Sequence, residues 1–145
     1  VMLTGGTIVL SACGDNGLGL DDLDPQVASF VLLLNDHRLE VGCGALSWNE
    51  AVADVALGHS VDMVQKDFFA HTNLDGESPF DRLTAAEISY SGAAENIAWG
   101  YATADAVFAG WLDSPGHRAN IENCSLTTHG VGLAETYWTH LFVTP

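Results

Sequence analysis

The sequence predicts a single α+β domain in which helices come first and strands come last. The chain has 145 residues, 48% of them hydrophobic, so it can bury one substantial core and is too apolar to be disordered. Helical spacing of apolar residues dominates the chain until strand-like segments begin at Gly130. Helices and strands do not alternate, which favours a layered α-β-α domain over βαβ repeats.

Two long helices are predicted in the first half of the chain. Pro25 suits the first turn of a helix over residues 25–40. The run Ser47-Trp48-Asn49-Glu50 has the pattern of a capping box with Ser47 as the N-cap, and the helix it opens is expected to reach about Lys66. The buried stripe of this second helix is expected to comprise Val52, Val55, Ala56, His59 and Met63.

Three shorter helices and two strands complete the prediction. Ser78-Pro79 starts one helix, and Thr103 can cap another that runs to Trp111. Ser114-Pro115 opens the helix that contains His117. The strands are expected over residues 130–136 and 137–145.

The N-terminus is expected to be a signal-peptide remnant. Residues 1–12 carry no charge and are mostly apolar or small, which fits the apolar region of a signal peptide. Leu10-Ser11-Ala12-Cys13 resembles a bacterial lipobox, so Cys13 is expected to carry lipid and anchor the protein to a membrane. The alternative is a buried strand that ends in an incidental cysteine. Residues 13–24 are expected to form a flexible acidic linker to a folded domain over residues 25–145.

The charge of the chain limits its partners. The formal net charge is −15, with four basic residues, Arg38, Lys66, Arg82 and Arg118. Such a surface repels nucleic acid and anionic lipid headgroups, so no nucleic-acid partner is expected. It suits cations or a salty medium, and a monomer is expected.

The three cysteines are consistent with export. Lipidation of Cys13 leaves Cys43 and Cys124, and an exported protein occupies a compartment where disulfides persist. A bond between these two would close a loop of roughly 80 residues. The alternative is two separate buried thiols.

His117 is expected to be neutral and to face a cleft. Pro115 would occupy the first helical turn and Ser114 would cap it, so the imidazole would lie near the positive end of the helix. A neutral imidazole can bind metal or accept a proton. The alternative is that His117 only fills space beside the cap.

Six segments in order carry a family resemblance: HSVDM (59–63), DFFAH (67–71), AENIAWG (94–100), SPGHRANI (114–121), GVGLA (130–134) and YWTHLF (137–142). Together they resemble the bacterial branch of the CAP superfamily, which comprises cysteine-rich secretory proteins, antigen 5 and pathogenesis-related class 1 proteins, and whose domain is also called the SCP domain. The resemblance implies a three-layer α-β-α sandwich, secretion, and a cleft with two histidines and two acidic residues.

The resemblance assigns the cleft residue by residue. His71 and His117 match the family histidines, and Glu95 matches the glutamate of its GEN motif. The family's second glutamate has no match, because WLDSPGH shortens that stretch; Asp113 stands there, and Glu77 is the other acid that could fill the place. Ala94 also replaces the glycine of the GEN motif.

A divalent metal, most simply Zn²⁺, is the expected cofactor of this cleft. The two imidazoles of His71 and His117 and one carboxylate could hold the ion and leave positions open for solvent or ligand. Glu95 could instead accept a hydrogen bond from a metal-binding histidine and fix its tautomer.

Three functions follow from these observations. The first is an extracytoplasmic binding module, with a small apolar molecule or lipid as ligand, since the resemblance implies sterol or fatty-acid binding in some eukaryotic members. The second is a metal-dependent hydrolase, although the chain has no His-Glu-x-x-His or Gly-x-Ser-x-Gly motif and its catalytic residues are unknown. The third is a structural protein of the cell envelope with no ligand.

The remaining histidines are expected to be structural. His59 is expected to bond within the core near Asp62, and His140 is expected to pack inside its strand. His37 and His129 are expected at surface or loop positions.

Tryptophans and two polar residues of the first helix complete the expected core. Trp99, Trp111 and Trp138 are expected to be core anchors. Asn35 and Arg38 are expected to tie the first helix to neighbouring loops.

Overall fold

The computed structural model describes residues 19–145, which form five α-helices, four β-strands and a short 3₁₀ helix. In chain order they are the 3₁₀ helix Leu20–Asp22, α1 Pro25–Glu40, β1 Ser47–Trp48, α2 Glu50–Lys66, α3 Pro79–Ala85, β2 Gly92–Trp99, α4 Ala104–Leu112, α5 Pro115–Ile121, β3 Thr128–Ala134 and β4 Tyr137–Thr144. Every predicted helix is present, and β1 and β2 are strands that the sequence did not predict. The expected signal remnant over residues 1–12 and the anchor at Cys13 lie outside the described residues.

One four-stranded sheet forms the centre of the domain, in the order β1-β3-β4-β2. The strands β3, β4 and β2 pair antiparallel, and the two-residue β1 pairs parallel with β3. Strand β4 lies inside the sheet and is buried along nearly its whole length. Burial on both faces explains why apolar residues of β4 occur on both sides of the strand rather than at alternate positions.

Helices cover both faces of the sheet, so the predicted three-layer α-β-α sandwich is confirmed. Successive side chains of a strand point to opposite faces. Trp138 and Phe142 of β4 pack in the core that α1, α4 and α5 share, whereas Leu141 and Val143 pack with residues of α2 and α3.

Two glycines of β3 let helix α2 lie directly on the sheet. A Cβ at Gly130 would lie 2.1 Å from the backbone nitrogen of Ala53, and one at Gly132 would lie 2.2 Å from that of Leu57. Real Cβ atoms do not approach backbone this closely, so any side chain would push the helix away. The GVG run is therefore a packing requirement of the α2–β3 contact.

The start of α2 differs from the prediction. Its N-cap is Asn49, whose side chain accepts a hydrogen bond from the backbone N–H of Val52. Ser47 lies in β1, and its own N–H donates to the carbonyl of Thr127. The capping-box assignment of Ser47 is wrong because this serine pairs with β3 instead.

The described part of the predicted linker belongs to the folded domain. Leu20 and Leu23 pack against the main core, and the side chain of Asp24 accepts from the N–H of Gln26 and so caps α1. Residues 20–24 are therefore ordered by apolar contacts and by a cap, two features that the acidic composition does not reveal. None of the described helices is long and apolar enough to cross a bilayer.

The predicted disulfide between Cys43 and Cys124 is confirmed, with the two Cα atoms 4.9 Å apart. It joins the loop after α1 to the segment after α5. Beside it, the buried guanidinium of Arg38 donates to the carbonyls of Gly44, Ile121, Asn123 and Leu126. Asn35 exchanges two hydrogen bonds with the backbone of Leu46, so both residues tie α1 to its neighbouring loops as expected.

Two expectations about single residues are wrong. His129 was expected at the surface but is 0% exposed, and its Nδ1 lies 3.0 Å from Nε2 of His140. The reason is that its side chain points to the α1 face of the sheet, where it meets the ring of Trp48. Trp99 was expected in the core but is 58% exposed at the end of β2, stacked on Tyr137. Trp111 and Trp138 are buried as predicted, and so is His140.

Candidate functional site

His71 and Glu95 meet beside the edge strand β2. His71 lies in the loop after α2, and its Nδ1 is 2.7 Å from Oε1 of Glu95. The carboxylate is almost completely buried, with its side chain 2% exposed, whereas the side chain of His71 is 53% exposed. Glu95 therefore binds Nδ1 of the ring from the buried side of His71, and Nε2 of the ring is directed away from the carboxylate.

Arg82 of α3 completes the support of this histidine. Its Nη2 is 2.8 Å from Oε2 of Glu95, and its Nη1 donates to the carbonyls of His71 and Glu77. A single guanidinium thus binds both the carboxylate and the loop that carries His71. Arg82 is not among the residues predicted from the sequence, although the chain has only four basic residues and this one follows the capping box formed by Ser78 and Asp81.

His59 of α2 anchors the same loop from inside the core. It is buried, and its Nε2 is 2.8 Å from the carbonyl of Ala70, the residue before His71. Desolvation lowers the pKa of His59, so the ring is neutral and donates its proton to that carbonyl. The expected core position is confirmed, and the bonded partner is Ala70 rather than Asp62.

His117 lies in the first turn of α5 and is supported differently. Its Nδ1 is 2.8 Å from the hydroxyl oxygen of Ser114, and its carbonyl accepts from the side chain of Asn96 in β2. Asn120 in turn donates to the amide oxygen of Asn96, which ties α5 to the strand. Ser114 precedes the helix but makes no capping hydrogen bond, because its hydroxyl bonds the imidazole. Ser114 therefore occupies the expected N-cap position, but the expected capping by its side chain is wrong.

Burial lowers the pKa of His117, and the charge of His71 lowers it further. Both effects favour the neutral imidazole, as expected for His117. The two rings thus share one electrostatic environment although 46 positions separate them in sequence (117 − 71). Each has its Nδ1 engaged and its Nε2 without a partner among residues 19–145.

The two acids proposed as a fourth group do not contact either histidine. Glu77 is exposed and its carboxylate accepts from the side chain of Asn73. Asp113 is exposed at the end of α4. Both oxygens of Glu95 are already bonded, and within residues 19–145 no group of three or more His, Cys, Asp or Glu residues is arranged to hold a metal ion.

A cavity of about 310 Å³ opens beside His117. Its walls are mainly aromatic and its polar groups are Ser114 and the imidazole. The aromatic residues that line it are Phe69, Trp99, Tyr101 and Trp111. Neither Phe69, inside the DFFAH segment, nor Tyr101, which follows AENIAWG, is predicted as a cavity residue, because only the folded chain brings these two segments together.

The three-layer fold, with His71 hydrogen-bonded to the buried Glu95 and His117 in the first turn of α5, indicates the class of SCP-type domains. The family model described as the cysteine-rich secretory protein family matches residues 31–144. This chain therefore belongs to the CAP family, as the motifs predicted.

Its relatives include longer bacterial proteins. The chain is 38% identical over 111 residues to the uncharacterized membrane protein YlbC of Bacillus subtilis, which covers 77% of this chain and 32% of YlbC. It is 39% identical over 115 residues to the uncharacterized protein YkwD of the same organism, covering 78% of this chain and 45% of YkwD. The chain thus spans less than half the length of either relative.

A solved structure shows the same fold. The crystal structure of an extracellular protein containing a SCP domain from Bacillus anthracis superposes with a TM-score of 0.80 at 33% identity. The match covers 83% of this chain and 40% of that one.

Proposed function

We propose that this chain is an exported CAP-domain binding module whose cleft takes a small ligand with the help of a divalent metal ion. The observation that carries the proposal is the hydrogen bond from Nδ1 of His71 to the buried carboxylate of Glu95. Carboxylates that accept from one ring nitrogen fix the tautomer in which the other nitrogen has its lone pair free for a metal.

The donor set fits Zn²⁺ bound by two protein ligands. Nε2 of His71 and Nε2 of His117 are the atoms that would hold the ion, since both Nδ1 atoms are engaged. Two imidazoles are fewer ligands than dedicated zinc sites use, so solvent would complete the shell and the affinity would be modest. The ion would supply a positive charge to a polar group of the ligand.

The aromatic cavity supports a ligand with an apolar part. Phe69, Trp99 and Tyr101 offer ring surfaces next to His117, so a molecule with an apolar body and a polar end could place the end near the two histidines. A small apolar molecule or lipid has this character.

Calorimetric titration with Zn²⁺ at two pH values tests the metal site. The parent should bind weakly at pH 7.5 and more weakly at pH 5.5, because protons compete for the same nitrogens. His71→Ala and His117→Ala should each abolish binding, whereas His37→Ala, which removes an imidazole that contacts Glu122, should leave it unchanged. Zinc binding by His117→Ala at the parental affinity would show that the cleft is not the site.

A metal-dependent hydrolase is the second candidate, and the contacts of Glu95 favour it less. Arg82 and His71 occupy both carboxylate oxygens, so Glu95 is not free to accept a proton. Ser114 and His117 form a hydrogen-bonded pair, but no described carboxylate orients that imidazole. A screen of ester, amide and phosphate substrates with and without zinc would reveal activity, and activity lost in His71→Ala would favour the hydrolase. A structural envelope protein would bind neither zinc nor ligand.

We further propose that residues 1–12 are removed on export and that Cys13 carries the lipid anchor. The support is the sequence Leu10-Ser11-Ala12-Cys13 and the printed descriptions of relatives as a membrane protein and an extracellular protein. Mass spectrometry of the membrane fraction should find a lipidated Cys13 at the N-terminus. Cys13→Ser should release the protein, and an intact Val1 in the membrane fraction would contradict the proposal.

A further inference from the structure

A second cavity, of about 210 Å³, lies at the opposite edge of the sheet from His117. It runs between the start of α1, helix α2 and the outer edge of β3, and we call it the edge groove. Its floor is apolar and its rim is acidic. The apolar side chains include Val27, Trp48, Leu57 and Leu133.

The edge groove is lined by the part of β3 that lies beyond its pairing with β1, from Val131 to Leu133. Strand β1 is only two residues long, and its hydrogen bonds end where the N–H of Asn49 donates to the carbonyl of His129. Because the polar groups of a strand alternate in direction, Val131 and Leu133 direct their N–H and C=O groups to the same side as His129. The register with β4 is continuous through Ala134, so this alternation holds along the strand.

Beyond β1 these backbone groups have no partner within residues 19–145. The chain turns into α2 at Glu50, and the carbonyl of Asn49 accepts from Ala53 inside that helix rather than from β3. No backbone or side-chain hydrogen bond of residues 19–145 reaches the outward groups of Val131 or Leu133. An unpaired strand edge can accept another extended segment as an added strand.

The rim of the edge groove is strongly negative. Four carboxylates line it: Asp22, Asp24, Glu50 and Asp54. Every Lys and Arg of the chain is engaged elsewhere, with Arg38 bonded to backbone carbonyls, Lys66 to Asp62, Arg82 to Glu95 and Arg118 to Glu122. The four carboxylates therefore have no cationic side chain beside them, and a positive occupant is the electrostatic complement.

Trp48 adds a surface for a long basic side chain. Trp48 is partly exposed and lines the groove, and its indole N–H lies 3.5 Å from a carboxylate oxygen of Glu50 on the rim. The aliphatic stem of a lysine or arginine can lie on such apolar surface while the charged end reaches a carboxylate or the ring face.

We propose that the edge groove binds an extended basic peptide, which pairs with β3 at Val131 and Leu133 and places a Lys or Arg side chain against Trp48 and the acidic rim. The outer edge from Val131 to Ala134 suits an extended segment of about four residues, at about 3.3 Å per residue. The edge groove lies at the opposite edge of the sheet from the histidine cleft, so peptide binding can be tested independently of metal binding.

Fluorescence polarisation with labelled peptides and the full chain tests the proposal. A Lys-Val-Lys-Val-Lys peptide should bind at low salt, and the Glu-Val-Glu-Val-Glu peptide should not. Two N-methylated versions of the lysine peptide separate strand pairing from charge attraction. In one version the odd-numbered amides are methylated and in the other the even-numbered amides, so each version blocks the N–H donors on one edge of the peptide while its charge is unchanged. One version should lose about tenfold in affinity because its donors to β3 are blocked. Equal binding of both methylated peptides and the parent peptide would overturn the proposal.

Charge variants locate the site. Asp22→Asn/Asp54→Asn should weaken the lysine peptide about tenfold, because two rim carboxylates are neutralised. Asp36→Asn/Glu40→Gln neutralises two exposed acids near the other end of α1 and is the matched control, with less than about a twofold effect expected. Equal weakening by the two pairs would indicate attraction to the whole negative chain and would overturn the proposal.

A blocking variant and a competitor complete the test. Leu57→Arg places a cation and added bulk in the groove and should remove binding while circular dichroism stays unchanged. Unchanged binding by Leu57→Arg would contradict the site. Competition by an added peptide of residues 1–18 would assign the edge groove to the chain's own N-terminal segment and would overturn the proposal of a basic partner.

Discussion

Nδ1 of His71 lies 2.7 Å from Oε1 of Glu95, and the other oxygen of that carboxylate lies 2.8 Å from Nη2 of Arg82. The exposed histidine is therefore the outer end of a largely buried ion pair, in which the side chains of Arg82 and Glu95 are 10% and 2% exposed. This arrangement links the proposed ligand site to the stability of the loop and of α3.

Glu95→Gln should reduce both stability and zinc affinity. Removal of the carboxylate leaves Arg82 nearly buried without its counter-charge, so the free energy of unfolding should fall by about 3 kcal/mol. Zinc affinity should fall at least about tenfold, because the histidine loses the acceptor that fixes its tautomer. Urea unfolding and calorimetry measure the two effects.

Glu77→Gln is the control for that variant. Its carboxylate is exposed and accepts only from Asn73 within the described residues, so both quantities should change little, with stability within about 0.5 kcal/mol. Equal losses in the two variants would show that the ion pair has no special role.

Loss of the disulfide should destabilise the fold without changing its topology. Cys43 and Cys124 are 81 positions apart, and a loop of that length restrains the unfolded chain by about 4 kcal/mol in the chain-entropy model. Cys43→Ser/Cys124→Ser should therefore unfold at lower urea concentration with a similar far-ultraviolet spectrum. An unchanged urea midpoint relative to the oxidised parent would refute this expectation.

The buried pair of His129 and His140 should make stability depend on pH. Burial lowers the pKa of His129 to about 3, and the nearby charge of Arg38 contributes to this shift. Burial also holds the pKa of His140 well below its usual range, with smaller contributions from His129 and Arg38. In the unfolded chain both titrate near 6.5. Below about pH 6.5 the unfolded state therefore binds more protons, and stability falls as pH falls, down to the folded-state pKa values.

The slope should approach about 1.4 kcal/mol per pH unit for each of the two histidines. His140→Gln removes one of them, so its unfolding free energy should change less steeply than that of the parent between pH 6 and pH 5. Urea unfolding at several pH values measures both profiles. Parallel profiles for parent and variant would contradict the assignment.

Gly132→Ala should be strongly destabilising, whereas Gly58→Ala should not. The new Cβ at Gly132 would lie 2.2 Å from backbone atoms of Leu57, so α2 must move and a loss of about 3 kcal/mol or more is expected. At Gly58 nothing lies within 4 Å, and alanine in the middle of α2 should stabilise by up to about 1 kcal/mol. Thermal unfolding of both variants would show whether the close contact between α2 and β3 is required.

Local sequence patterns determined most helix positions and the order of layers. Pro25, Pro79 and Pro115 each stand in a first helical turn, and α1 covers the predicted residues 25–40. Caps and helical periodicity act within a few residues of the chain, so they can be read without knowledge of the rest. The family motifs likewise identified His71, Glu95 and His117 before their contacts were known.

Strand β2 and the start of α2 show where this reading fails. The segment AENIAW has no alternation of polar and apolar residues, because it packs on both faces beside helices, and it was not predicted as a strand. Ser47 matches the capping-box pattern in sequence, but in the structure it pairs with the β3 side of the sheet. The cap of α2 is therefore Asn49, two residues further along the chain.

The sequence by itself thus determined the fold class, the helices and the family, and it predicted His71 and His117 as site residues. Tertiary structure alone decided that Arg82 binds Glu95. It also decided that His129 is buried against His140 and that the side chain of Trp99 is exposed to solvent. The physical reason is that these outcomes depend on which distant segments meet. A side chain's burial and charge partner are set by neighbours across the sheet or from another helix, and no local pattern encodes their distance.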